Sequence, residues 1–141
     1  QAAIGCAQLD KFDETLAKRA QIKAWYTTCL TPLLEKGFLT FQIQKKNCKL
    51  NTWMFSIFLD SQFNRDRVCL ILDTLGVDTR PFFPPVHKQP CYKEFEGLSF
   101  PISQTMARSG LNLPTYHQLT QTDIMEICTI LEKVLTAESA A

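Results

Sequence analysis

Residues 51–76 are NTWMFSIFLDSQFNRDRVCLILDTLG, a strand pattern followed directly by a helix pattern. The first ten residues are rich in aromatic and β-branched side chains, which predicts a strand that is buried on at least one side. Asn64 belongs to the residue types that cap helix N-termini, and Gly76 to those that end helices, so we expect a helix over about residues 65–75. The apolar face of this helix comprises Val68, Ile71, Leu72 and Leu75.

The N-terminal part of the chain predicts one long helix and a second strand. Over about residues 2–34, apolar side chains recur every three or four positions, which places them on one helical face. Pro32 and Gly37 mark the end of this helix. Residues 39–44 then alternate apolar and polar side chains, which is the period of a half-buried strand.

The C-terminal half predicts shorter elements and a final helix. A strand pattern covers residues 77–83, a short helix is expected around residues 102–109, and a short apolar segment follows at 111–114. Thr120 and Asp123 form a start similar to a capping box, although that box prefers Glu or Gln at its last position. The apolar face of the last helix consists of Ile124, Ile127, Cys128, Leu131, Val134 and Leu135.

This order of elements predicts an α+β fold, in which a small antiparallel or mixed sheet is covered by helices and preceded by a long N-terminal helix. A chain of 141 residues with 45% hydrophobic content can bury one core. We therefore expect residues 1–141 to form a single small domain, with a long helix at about 2–34 and an α+β unit at about 39–135.

Charge and cysteine content exclude several classes of protein. The formal net charge is +1, so we expect no strong attraction to nucleic acid or to an anionic membrane. No apolar run approaches the ~20 residues of a membrane span. The six cysteines are widely spaced and form no CxxC motif, so we expect reduced thiols in a cytoplasmic protein rather than a disulfide framework. They are Cys6, Cys29, Cys48, Cys69, Cys91 and Cys128.

Residues 79–92, TRPFFPPVHKQPCY, contain four of the seven prolines. Proline fixes φ and donates no backbone hydrogen bond, so this run is expected to be stiff, extended and non-helical. A core strand would avoid so many prolines, and a flexible linker would avoid the aromatic residues. We therefore predict a shaped loop that presents Arg80, the Phe82–Phe83 pair and His87 to a ligand or partner.

Other interpretations of the same residues stay open. Arg80 can be an ordinary surface arginine, and His87 a loop histidine bonded to backbone. At least one of Phe82 and Phe83 is expected in the core, because neighbouring strand residues point to opposite faces. A metal site at His87 and Cys91 is disfavoured because Pro90 opposes a helix there. No phosphate-loop, dinucleotide, zinc-protease or serine-hydrolase motif occurs.

Four segments, in register, extend this interpretation. They are the loop 79–92, residues 1–9 (QAAIGCAQL), residues 53–57 (WMFSI) with Arg65-Asp66, and residues 110–114 (GLNLP) with 119–124 (LTQTDI). Together they resemble the C-terminal region of the DegT-type nucleotide-sugar aminotransferases, which are pyridoxal-phosphate enzymes of fold-type I. The similarity covers nearly the whole chain and is greatest to the perosamine-synthase-like branch.

The resemblance implies a mechanism for a larger parent enzyme. A lysine there binds pyridoxal phosphate as a Schiff base, glutamate donates the amino group, and a 4-keto-6-deoxy sugar nucleotide accepts it. In the family that lysine lies in the large domain, and no lysine of this chain matches its motif. We therefore expect a small C-terminal domain that is inactive alone and has no catalytic, cofactor-binding or metal-binding residue. The start at Gln1 rather than Met agrees with a piece of a longer chain.

The resemblance also implies a role for the loop. Phe82 and Phe83 would form an apolar wall of the sugar-nucleotide cleft, while Arg80 and His87 would contact the substrate or the loop backbone. The alternative is a purely structural loop. The N-terminal helix would pair with a second copy or with the large domain. The rival to a domain of a larger enzyme is a free-standing, non-catalytic module that binds a nucleotide sugar or a partner protein.

Overall fold

The computed structural model describes residues 1–48, 50–95 and 97–140. Its four strands are β1 Leu39–Phe41, β2 Phe55–Leu59, β3 Arg80–Pro81 and β4 Gly110–Leu113. They form one antiparallel sheet in the order β1-β2-β4-β3. The predicted α+β class is confirmed, and every pairing in this sheet is antiparallel.

Helices lie on both sides of the sheet. The helices are α1 Ala2–Leu9, α2 Phe12–Glu35, α3 Arg65–Thr74, α4 Pro101–Ser109 and α5 Gln121–Ser139. Helices α2, α3 and α5 build the core on one face with the buried residues of the strands, while α4 contacts β2. None of the helices in the described part of the chain is long and apolar enough to cross a membrane.

Strand β2 shows why the two faces of the sheet differ. Phe55, Ile57 and Leu59 are buried, whereas Ser56 and Phe58 between them are partly exposed. The Phe55 ring stacks on Tyr26 of α2 with 4.8 Å between ring centroids, so the buried set faces the helical core. Phe58 and Ser56 therefore lie on the opposite face, where the loop after β3 also lies.

The predicted long N-terminal helix is corrected to two helices. Helix α1 ends at Leu9, and α2 begins at Phe12 after Lys11, whose backbone has φ −105° and ψ 9°. No residue of α1 is buried, so packing does not oppose this break. Helix α2 in contrast buries Ile22, Tyr26, Leu30 and Leu33.

Three strand predictions are too long. The strand expected over residues 39–44 is limited to Leu39–Phe41. The strand expected over residues 51–60 is limited to Phe55–Leu59, and Thr52 just before it has a positive φ of 49°. The strand expected over residues 77–83 is limited to Arg80–Pro81 at the edge of the sheet. Proline has no N–H for a strand ladder, which confines this segment to a short edge position.

Two helix N-termini follow the predicted signals, whereas Pro32, expected near the end of the first helix, lies inside α2, which continues to Glu35. Asn64 accepts a hydrogen bond from the Arg67 amide at the start of α3, at 3.1 Å. Thr120 and Asp123 form a reciprocal capping box at the start of α5, with Asp in place of Glu. The backbone and side-chain hydrogen bonds from Thr120 lower the pKa of Asp123, so its carboxylate remains an acceptor at neutral pH.

Candidate functional site

The proline-rich loop leaves the edge of the sheet and crosses toward α4. Its first part is extended, and the Phe82 amide donates to the Gly110 carbonyl at 2.9 Å. A 3₁₀ helix at Val86–Lys88 follows, and then a 3₁₀ segment at Pro90–Phe95 that is kinked at Tyr92. The expectation of a wholly non-helical run is therefore wrong for the second half. Proline is tolerated before and at the first position of a helix, where no amide donor is required.

The expectation that at least one of Phe82 and Phe83 lies in the core is wrong, since neither belongs to the buried core cluster. They still differ in environment, because neighbouring residues of an extended segment point to opposite sides. The Phe82 ring is half-buried and meets Phe58 edge-on, with 5.4 Å between ring centroids. Phe83 remains 65% exposed. The close contact between Phe82 and β4 requires glycine at position 110, because a Cβ added there would lie 2.8 Å from Phe82 Cβ.

His87 lies inside the loop rather than on its surface. It is 8% exposed, and its ring centroid is 4.7 Å from that of Phe100. The Gln104 amide nitrogen approaches His87 Nε2 at 3.3 Å. His87 therefore joins the loop to α4, which supports a positioning role and not direct contact with a ligand.

Arg80 lies on the edge strand and points to solvent. Its side chain is 77% exposed and pairs with Asp78 at 2.9 Å. In the sheet register it is opposite Asn112, which accepts a hydrogen bond from Ser56 Oγ at 2.6 Å. The structure thus brings Phe82 and Phe83 together, while it places Arg80 at the strand edge and His87 in the interior.

A groove runs along the outer side of this loop, and we call it the loop groove. It has a volume of about 650 Å³. Its residues are Arg65, Pro81, Phe82, Phe83, Pro84, Pro85, Lys88, Gln104, Ala107 and Arg108. Among the described residues that line the groove, three are basic and none is acidic, and one of the three, Arg65, is paired with Asp66. The groove therefore favours an anionic ligand with an apolar part.

Arg65 connects α3 to the end of α4. Its Nη1 donates to the carbonyls of Ala107 and Gly110 at 3.0 Å and 2.7 Å, and its Nε pairs with Asp66 at 2.6 Å. The Gly110 carbonyl therefore accepts from both Arg65 and Phe82. These bonds fix one side of the groove. The sequence alone did not indicate the role of Arg65, because its partners are 42 and 45 residues away.

No lysine within residues 1–48, 50–95 and 97–140 is buried. The most enclosed ones serve other contacts. Lys18 donates to the Leu119 carbonyl at 2.9 Å, and Lys23 to the Gln44 side chain at 3.0 Å. A lysine that forms a Schiff base with pyridoxal phosphate needs an enclosed cofactor pocket. These residues therefore do not fit a complete pyridoxal-phosphate site.

Metal binding is not supported by the described residues either. Among them, no three His, Cys, Asp or Glu side chains cluster as metal ligands would. Cys91 is exposed and His87 is buried against Phe100, so the pair does not present a common face.

Comparisons with known proteins agree with the predicted resemblance. The sequence profile of the DegT/DnrJ/EryC1/StrS aminotransferase family matches residues 1–132. The chain is 36% identical to the GDP-perosamine synthase of Caulobacter vibrioides, over 96% of this chain and 36% of that protein. It is 32% identical to the GDP-perosamine synthase of Vibrio cholerae, over 93% of this chain and 35% of that protein.

The fold agrees with a solved structure. Helicobacter pylori PseC, an aminotransferase involved in the biosynthesis of pseudoaminic acid, superposes with a TM-score of 0.86 at 16% identity. The match covers 97% of this chain and 37% of that one. The chain thus spans about a third of the length of the proteins it matches.

Proposed function

Because the chain belongs to the DegT/DnrJ/EryC1/StrS aminotransferase family, we propose that it is the C-terminal domain of a pyridoxal-phosphate-dependent sugar-nucleotide aminotransferase. In the proposed parent, glutamate donates an amino group to a 4-keto-6-deoxy sugar nucleotide. The similarity to two GDP-perosamine synthases over nearly the whole chain supports this substrate class.

The proposed cofactor depends on residues outside this chain. Since no described lysine is enclosed, no chemical step is assigned to residues of this chain. The 141-residue chain alone is therefore expected to be inactive as an aminotransferase. In the parent enzyme this chain contributes one wall of the substrate cleft, and hydrogen bonds fix the backbone of that wall.

We assign that wall to the Phe82–Phe83 side of the loop groove. The observation that carries this proposal is the exposed Phe83 ring, next to a Phe82 that is fixed by Phe58 and Gly110. Aromatic rings on a rigid backbone bind the apolar face of a sugar or base at low cost in conformational entropy. In this scheme Arg80 contacts the substrate from the strand edge, and His87 positions the loop through Gln104.

The N-terminal helices form the proposed contact with the large domain or with a second copy. Ile4, Leu9 and Phe12 are between 50% and 69% exposed. An apolar groove of about 920 Å³ follows the outer face of α2. Exposed apolar surface of this kind marks protein contacts. We also propose a cytoplasmic location, which the six unpaired cysteines support.

A hybrid enzyme tests the role of the loop. In it, this chain replaces the matching third of the Caulobacter vibrioides GDP-perosamine synthase. Replacing Phe83 by alanine in the hybrid is expected to raise the KM for the sugar nucleotide about threefold to tenfold, with kcat unchanged, because an aromatic contact contributes about 0.5–1.5 kcal/mol of binding. The measurement is steady-state kinetics with glutamate in excess.

The matched control is Leu70→Ala, which removes an equally exposed apolar side chain from α3 outside the loop groove. This variant is expected to leave both constants unchanged. Equal KM values for the Phe83→Ala and unsubstituted hybrids would remove the loop from the substrate site.

A further inference from the structure

Arg108 is a cation that lines the loop groove. It lies in the last turn of α4 and is exposed. Within the described residues, none of the ion pairs or hydrogen bonds involves its side chain. It lines the loop groove and also the adjoining hollow that contains Asp60 and Thr105.

Arg65 explains why the Arg108 side chain stays available. The carbonyls at the C-terminus of a helix attract cations, and an arginine in the last turn would ordinarily turn back toward them. Here the Arg65 guanidinium already donates to the carbonyls of Ala107 and Gly110. The Arg65 guanidinium therefore occupies the position next to these carbonyls that the Arg108 guanidinium would otherwise take.

The other side of the groove supplies few backbone donors. Pro81, Pro84 and Pro85 have no N–H groups, and the Phe82 amide is already bonded to Gly110. Side chains are therefore expected to provide most of the contacts to an anion in the groove. An arginine presents several N–H donors in a planar fork that matches phosphate oxygens.

We propose that Arg108 binds the diphosphate of the nucleotide sugar in the loop groove, against the Phe82–Phe83 wall. This inference rests on the proposed function and adds Arg108 as a residue that positions the substrate in the groove. The same chemistry accepts a free inorganic diphosphate, so the experiment includes both sources. Arg65 acts as the positioning residue because it frees Arg108 and does not need to touch the ligand.

The test measures binding of GDP and of inorganic pyrophosphate to the 141-residue chain by isothermal titration calorimetry at two salt concentrations. The substitution is Arg108→Gln, which keeps hydrogen-bonding capacity but removes the charge. The matched control is Arg67→Gln, which makes the same change on α3 outside the groove. Circular dichroism melting curves verify that all three proteins are folded.

The proposal predicts that Arg108→Gln raises the Kd for both ligands about tenfold or more, that added salt weakens wild-type binding, and that Arg67→Gln binds as the wild type does. Equal Kd values for Arg108→Gln and wild type would overturn it, as would a wild-type chain that binds neither ligand. If GDP binds equally well without Arg108, the aromatic wall is responsible for binding, and the proposal is overturned as well. None of these results depends on amino transfer, so the proposed function stands or falls on the hybrid enzyme.

Discussion

Replacing Gly110 by alanine is expected to lower the free energy of unfolding by about 1–3 kcal/mol, because the added methyl group has no space. A Cβ at this position would lie 2.7 Å from the Met106 carbonyl oxygen and 2.8 Å from Phe82 Cβ. Neither atom is the end of a flexible side chain, so relief requires a backbone shift. That shift would also strain the hydrogen bond between the Phe82 amide and the Gly110 carbonyl.

Urea unfolding followed by circular dichroism measures the change. The matched control is Gly97→Ala, since a Cβ at Gly97 meets nothing within 4 Å and its φ is not in the left-handed region. The control is expected to change the free energy of unfolding by less than about 0.5 kcal/mol. If the Gly110→Ala variant unfolds at the same urea concentration as wild type, the close contact between Phe82 and Gly110 of β4 is contradicted.

The second large effect is expected at Arg65. Its side chain is only 12% exposed, and it donates to two carbonyls at the end of α4. Replacing it by methionine keeps the apolar stem but removes both charge-assisted hydrogen bonds. We expect a loss of about 1.5–3 kcal/mol in the free energy of unfolding, because the Ala107 and Gly110 carbonyls lose a charged donor.

Arg67→Met provides the comparison for Arg65→Met. Arg67 lies on α3, as Arg65 does. Its side chain is 62% exposed and pairs with Glu138 of α5 at 2.8 Å. An exposed pair of this kind contributes about 0–1 kcal/mol. The two variants are compared by the same urea titration. Equal losses for them would show that Arg65 has no special role in fixing the loop groove.

Local patterns in the sequence were sufficient for most of the fold. The aromatic and β-branched composition of β2 and the caps at Asn64 and Thr120 are local features, and the strand and both caps are present in the structure. The break between α1 and α2 was not predictable, because the apolar period continues across it and no Gly or Pro marks it. Because α1 buries no residue, no tertiary packing holds the two helices in one line across the break.

The site was predictable only in part. Proline content identified the loop, since it restricts the backbone wherever the loop lies in the fold. The inward orientation of the His87 ring depends on its contacts with Phe100 and Gln104. The hydrogen bonds of the Arg65 guanidinium depend on the end of α4, which begins its contact 42 residues later in the chain. Contacts of this kind leave no local pattern, so the role proposed for Arg108 could not be inferred before the contact of Arg65 with the end of α4 was known.

The measurement that tests the central claim most directly is the rate of amino transfer by the hybrid enzyme. The assay follows transfer from glutamate to a GDP-linked 4-keto-6-deoxy sugar, and it compares the hybrid with the same Caulobacter vibrioides protein truncated at the junction. If this chain is the C-terminal domain of a sugar-nucleotide aminotransferase, the hybrid turns over substrate, while the truncated protein and the isolated chain do not. A soluble, folded hybrid that binds pyridoxal phosphate but transfers no amino group would contradict the account.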